Sequence, residues 1–335
     1  MPPGLVQVDD DVPGITRRRV GRGWAYYRAD GERITDRDEI DRLNAVALPP
    51  AYVEAWFCPS PDGHILARGL DARGRRQYRY HPDFRAESEA RKFALCGSFG
   101  AALPKLRRQV VEDLAKRGLA HDTVTAAAVR LLDRAAIRVG NECYAKANRS
   151  YGATTLRQRH AEVSGKALRI AFKAKSGKDK EVEVTDASLA RLVRRLGDLP
   201  GQHLFQYIDG DQRCPVTSSD VNRYIQAAMG EEFTAKHFRT WAGSVKAFEL
   251  LASAKADLRL NAMAEEVAEF LGNTPTIAKA SYIHPAVLGL ARGAQDGSQA
   301  EWRAGLKLPR RTKYLDRHER GLIAFLAAEE RKPAS

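Results

Sequence analysis

Cysteine is scarce: the 335-residue chain has four, Cys58, Cys96, Cys143 and Cys214, and no two stand at the short paired spacing of a zinc site or a disulfide-framed small domain. Four reduced thiols are expected. No uninterrupted apolar run approaches the roughly 18 residues that a spanning helix needs. Met1-Pro2-Pro3-Gly4, followed by Asp9, Asp10 and Asp11, lacks the basic and apolar segments of a secretory signal. These gaps lead to the expectation of a soluble, cytoplasmic protein with no membrane partner. Gly-x-x-x-x-Gly-Lys-Ser/Thr and His-Glu-x-x-His are missing as well, so neither ATP nor a metal, and no other cofactor, is expected to serve the chemistry. Asp209-Gly210-Asp211 could touch a divalent ion, but it reads first as a turn.

Positive charge, by contrast, is in excess. Lysine and arginine number 55 against 42 aspartates and glutamates, a net charge of +13. Neutralising phosphates with such a surface releases condensed counterions and adds affinity without sequence preference. Nucleic acid is therefore the leading partner class, ahead of an anionic membrane.

The length suggests two domains. From Arg18 to about Tyr80 the segments are short and strand-like: Trp24–Arg28, Ala55–Cys58, His64–Arg68 and Arg75–Tyr80, separated by turns such as Asp30-Gly31 and Pro59–Gly63. Thr35 reads as the cap of a short acidic helix over about Asp36 to Leu43. Beyond Asp83, apolar residues recur at helical spacing, as in Leu106, Val110, Val111 and Leu114. An α+β chain is expected, with a small β-rich domain over 1–90 and a larger, mainly helical one over 91–335. Inside the helical part, Leu168, Ile170 and Phe172 alternate with polar neighbours, Ser176–Asp179 turns, and Glu181–Val184 returns, which makes a hairpin with Lys178 at its tip. Helices are expected over about Leu189–Leu196, Ser219–Met229, Thr234–Ala252 and Asn261–Leu271, the last capped by Gly272, and a final amphipathic one over Leu315–Ala328. Gly293–Ser298 reads as a loop.

Thr274-Pro275 marks a helix start, since a hydroxyl can cap free N–H groups and proline suits the first helical position. His284-Pro285 ends that helix, leaving Tyr282 at a chain bend where a nucleophile can be presented. Alone, Tyr282 could equally be a packing residue. Arg138, read as lying where a helix ends at Gly140, could simply meet free carbonyls, Lys178 could be a solvated turn lysine, and Lys236 and Arg239 could share an exposed face opposite Phe238, Trp241, Val245 and Phe248. Together, Arg, Lys, Arg and Tyr form a set for phosphoryl transfer onto a tyrosine. Guanidinium forks match the charge that develops on non-bridging oxygens. A lysine can protonate the leaving oxygen, and cations near a phenol favour its nucleophilic phenolate.

The order and wording of these segments resemble the type IB DNA topoisomerases, specifically the compact poxvirus-like and bacterial group. The resemblance is carried by Gly74–Tyr80, Ile137–Asn141, Tyr151–His160, Gly177–Lys180, Lys236–Trp241 and Gly272–Tyr282, and spans most of the chain from about Trp24 to Tyr282. It implies a β-rich domain and a helical catalytic domain closing around double-stranded DNA, Tyr282 forming a DNA-3′-phosphotyrosyl link, then strand rotation and religation by a monomer. Arg138 and Arg239 match the family's transition-state arginines and Lys178 its lysine acid. Arg75, Arg76, Gln77, Tyr78, Tyr80, Tyr144 and Lys236 fall at or beside positions that touch DNA.

Two positions depart from the viral pattern. Asn273 stands where many relatives carry histidine, and an amide can donate to a phosphate oxygen but cannot become a cation. Asn141 falls where the viral enzymes place a lysine near the DNA, so strict dependence on a viral-type recognition sequence does not follow from the resemblance. Tyrosine recombinases, which share the residue logic, are the alternative. They usually carry histidine three residues before the second arginine, where this chain has Lys236.

Overall fold

The computed structural model describes residues 1–72, 74–293 and 298–332, and the backbone alone at 143, 144, 147 and 176. It divides into two units, Met1–Lys92 and Phe93–Ser335. The first holds β1 (Ile15–Val20), β2 (Gly23–Tyr27), α1 (Arg37–Ala45), β3 (Val53–Phe57), β4 (Ile65–Leu70) and β5 (Arg76–Tyr80), followed by the start of α2 (Pro82–Ala115), within which the division falls. The five strands form one antiparallel sheet in the order β2-β1-β3-β4-β5. Ile15, Tyr26, Ile34, Leu43 and Phe57 pack beneath it. The short helix starts one residue later than expected: the side chain of Asp36, not Thr35, accepts from the Asp38 amide, because a carboxylate beside the first turn also complements the helix dipole.

The second unit continues with α3 (His121–Ala135), α4 (Glu142–Asn148), β6 (Ala161–Ser164), β7 (Ala167–Lys173), β8 (Asp179–Thr185), α5 (Ala187–Gly197), β9 (Gln206–Asp209), β10 (Gln212–Pro215), α6 (Ser218–Met229), α7 (Lys236–Ser253), α8 (Leu260–Leu271), α9 (Pro275–Ser281), α10 (Pro285–Arg292), α11 (Ser298–Gly305) and α12 (Arg317–Glu329). The expected hairpin is β7–β8, extended by β6 into a three-stranded sheet. Asp209-Gly210-Asp211 forms the turn between β9 and β10. Most of the Gly293–Ser298 stretch lies outside the described residues, and α11 follows it.

The core of this unit gathers Phe99, Leu103, Leu131, Phe238, Trp241, Phe248 and Val267 around α7. The C-terminal helix is tied in by a buried ionic network: Arg107 donates to Asp133 at 2.9 Å and to Glu319 at 2.7 Å, and Trp241 Nε1 donates to Glu319 at 3.3 Å. Charges this deep persist only when each is paired, so α12 is fastened to α2, α3 and α7 together. Among the described residues, no helix is long and apolar enough to cross a membrane.

Candidate active site

α8 closes on Gly272 in the left-handed conformation, φ 66°. An α-helix leaves its last four carbonyls unpaired, and a left-handed C-cap recovers part of them. Here the Asn273 amide takes the Ala268 carbonyl at 2.8 Å and the Gly272 amide the Glu269 carbonyl at 3.0 Å. The two remaining carbonyls go to cations: Lys180 Nζ donates to Phe270 at 2.8 Å and Arg239 Nη2 to Leu271 at 2.9 Å. The negative end of α8 thus organises positive groups that would otherwise repel one another.

Arg239 is only 5% exposed. Its other terminal nitrogen donates to the carbonyl of Ala136. This corrects the expectation of a basic face shared with Lys236: Lys236 is exposed, whereas Arg239 is drawn inward by main-chain oxygens from two other segments. A second correction concerns Arg138. α3 ends not at Gly140 but at Ala136, a non-glycine residue at φ 48° whose amide bonds the Leu132 carbonyl. Arg138 lies two residues past that cap and donates to Asn273 Oδ1 at 2.9 Å. Held so, Asn273 turns its amide nitrogen elsewhere. Both Asn273 Nδ2 and Arg239 Nε are buried without a partner among the described residues. Orphaned buried donors cost of the order of 1–3 kcal/mol each, which an incoming anion would return.

α9 starts as expected, Thr274 accepting from the Ile277 amide with Pro275 at its first position. Tyr282 caps the other end, its amide on the Ala278 carbonyl at 3.0 Å. α7 then grips the tyrosine's backbone. Ser244 Oγ donates to the Tyr282 carbonyl at 3.2 Å and accepts from the His284 amide at 2.9 Å. Gly243 lies so close that an added Cβ would fall 2.7 Å from the Tyr282 carbonyl oxygen. One turn earlier on the same helix, the Arg239 guanidinium lies 4.8 Å from the centroid of the Tyr282 ring. Burial by itself would raise the phenol's pKa, but the nearby Arg239 and, less strongly, Arg138 outweigh it and hold Tyr282 below the ordinary phenol range. The same burial, reinforced by Arg138, lowers the Arg239 guanidinium.

Lys178, the residue just before β8, is exposed and lines a recess of about 100 Å³ with Arg138, Lys180, Arg239, Gly272 and Asn273. Four of the five expected catalytic residues thus line one recess, and Arg239 connects it to the fifth, Tyr282. Sequence reasoning did not single out Lys180, Gly243 or Ser244.

The expected DNA-contacting residues on β5 belong to the first unit. Arg75 Nε donates to Asp71 at 2.6 Å and Gln77 to the same carboxylate at 3.0 Å. Arg76 pairs with Asp11 at 3.0 Å. Tyr78 and Tyr80 stack with ring centroids 5.8 Å apart, and Tyr80 is 45% exposed. The side chain of Tyr144 lies outside the described residues.

Because Gly243 touches backbone rather than a movable side chain, Gly243→Ala is expected to push the Tyr282 segment aside. Displacements near 1 Å can cost about 10²-fold in rate. For the DNA cleavage that the resemblance implies, the single-turnover rate should fall by about that much with DNA affinity unchanged. An unaltered rate would show that the segment relaxes at no cost.

A phenol with its pKa held down by two guanidiniums, beside unpaired donors and hairpin lysines, defines a class: an apparatus able to accept a phosphoryl group on tyrosine. Residues 81–300 match the eukaryotic DNA topoisomerase I catalytic core, and residues 23–71 the N-terminal domain of bacterial DNA topoisomerase IB. The DNA topoisomerase 1B of Acanthamoeba polyphaga mimivirus is 34% identical over 248 residues, covering 72% of this chain and 74% of the viral protein. The chain belongs to the type IB DNA topoisomerases. Two solved structures of the XerH site-specific recombinase, a post-cleavage complex with palindromic difH substrate and a pre-cleavage complex with difH substrate, match 58% of this chain at TM-score 0.37 with 14% and 13% identity, and the chain spans 52% of theirs.

Proposed function

We propose that this type IB topoisomerase relaxes supercoiled duplex DNA by moving one phosphodiester onto Tyr282 and back. The Tyr282 oxygen attacks the scissile phosphorus, the bond to the 5′-oxygen breaks, and that oxygen leaves with a proton from Lys178. The products are a DNA-3′-phosphotyrosyl link and a free 5′-hydroxyl, which can rotate and reverse the step. One phosphoester replaces another, so no external energy source is consumed. Arg138, Arg239 and Asn273 Nδ2 neutralise or bond the non-bridging oxygens. Arg75, Arg76, Gln77, Tyr78, Tyr80, Tyr144 and Lys236 contact the duplex, and the protein acts as a cytoplasmic monomer.

The observation that carries this reading is the pairing of the Arg239 guanidinium with the Tyr282 ring at 4.8 Å. Relaxation of a supercoiled plasmid without ATP, with denaturant added to trap intermediates, tests it. A covalent adduct whose phosphorylated peptide contains Tyr282 and whose free end is a 5′-hydroxyl is expected. An adduct on another residue, or a 5′-phosphate on the tyrosine, would overturn it. A plasmid without any recombination site also separates relaxation from recombination.

The lysine role has its own test. Lys178→Ala should cleave a normal duplex slowly and recover on a duplex whose leaving 5′-oxygen is replaced by sulfur, which departs without protonation. Absence of that recovery would assign the proton to a different donor.

A further inference from the structure

Lys180 is the cation in the recess for which neither the resemblance nor the reaction has assigned a task. It stands on β8 opposite Phe172 of β7, two residues from the tip lysine Lys178. Its side chain does not follow Lys178 into solvent. It lies along the turn that ends α8, where a Cβ built on Gly272 would meet Lys180 Cδ at 3.5 Å, and it donates to the Phe270 carbonyl at 2.8 Å.

That carbonyl is one of only two that the α8 cap leaves over, and Arg239 takes its neighbour on Leu271. The hairpin and the phosphate-clamping arginine are therefore moored one residue apart on the same helix end, next to Asn273. The bond from Lys180 to Phe270 crosses from the β7–β8 hairpin to that turn. Burial and the charges of Arg239 and Arg138 hold the Lys180 ammonium below the usual lysine range, with Glu269 opposing them. A cation kept in such company needs the carbonyl to remain there.

We propose that Lys180 is a positioning residue: by bonding the Phe270 carbonyl it latches the β7–β8 hairpin to the end of α8, so that the proton donor at the hairpin tip meets the leaving oxygen. This rests on the assignment of the leaving-group proton to the hairpin lysine. A latch and an acid differ in what can replace them. Arginine can donate to a carbonyl, but its guanidinium does not release a proton near neutral pH. The latch also serves only the leaving oxygen, so a leaving atom that needs no proton should make it dispensable.

The test is single-turnover cleavage of two end-labelled duplexes, one with the normal 5′-oxygen and one with sulfur there, by the full-length chain and its Lys180→Ala, Lys180→Arg and Lys178→Ala forms. Lys180→Ala is expected to lose about 10- to 100-fold on the oxygen duplex, the scale of a misplaced catalytic group, and only a few-fold on the sulfur duplex. Lys180→Arg should stay within a few-fold of the parent on both. Equal losses of Lys180→Ala on the two duplexes would reduce Lys180 to a folding or DNA-binding role and overturn the proposal. Loss in Lys180→Arg as deep as in Lys180→Ala, with sulfur restoring both, would overturn it by making Lys180 the acid itself. Sulfur rescue of Lys180→Ala without rescue of Lys178→Ala would fail the Lys178 assignment alone, leaving the latch to serve another donor on the hairpin.

Discussion

Tyr282→Phe is expected to bind duplex DNA like the parent protein while relaxing no plasmid and leaving no adduct in denaturant. The change removes one hydroxyl, with its hydrogen bonds from Arg239 and Arg138, and keeps the ring, so the stacking contact with Arg239 and the backbone bonds to Ala278 and Ser244 survive while the atom that would attack phosphorus is lost. Relaxation by the phenylalanine form would end the nucleophile assignment. The same tyrosine sets a pH signature. Only the phenolate attacks, and its pKa is held down by Arg239 and Arg138 against burial, so the cleavage rate should rise with pH and level off below the ordinary phenol value of about 10. In Arg239→Ala the levelling-off should move upward. Superimposable profiles would mean that the guanidinium does not govern the ionisation.

Arg239→Ala is expected to slow cleavage by roughly 10² to 10⁵, the range in which arginines act on phosphoryl transfer. Three effects combine: charge on the phosphate oxygens goes uncompensated, the phenol loses its neighbouring cation, and the carbonyls of Ala136 and Leu271 lose their donor. Arg239→Lys should recover little, because a single ammonium cannot span two carbonyls and present a free donor as a planar fork does. Arg138→Ala, which loses the phosphate contact and releases Asn273, belongs in the same range. A loss below tenfold, measured as single-turnover cleavage at saturating protein, would demote either residue to a structural role.

Much of this was legible because helix ends announce themselves chemically. Gly272 and Thr274-Pro275 mark a stop and a start that depend on backbone freedom and local capping, and both are where those rules put them. The hairpin was readable from its alternation. The burial of Arg239 was not, because periodicity weighs apolar side chains on one helix and cannot register carbonyls arriving from α3 and α8. The end of α3 was misplaced because Ala136 adopts a left-handed backbone that glycine usually supplies. Lys180 left a trace that was not used: it shares a face of β8 with Val182 and Val184, and a lysine in a row of inward valines signals an acceptor waiting inside. Ser244 gave none, since a serine that bridges two distant main-chain groups looks in sequence like any other.

The helix that carries both Arg239 and the Gly243-Ser244 grip acts as a gauge block. The cation touching the aromatic ring and the fingers holding that ring's main chain are four to five residues apart, about 6 to 7.5 Å along the axis, on a single helix. A displacement of α7 as a unit would carry the charge and the main-chain contacts of the nucleophile together, because both belong to one helix.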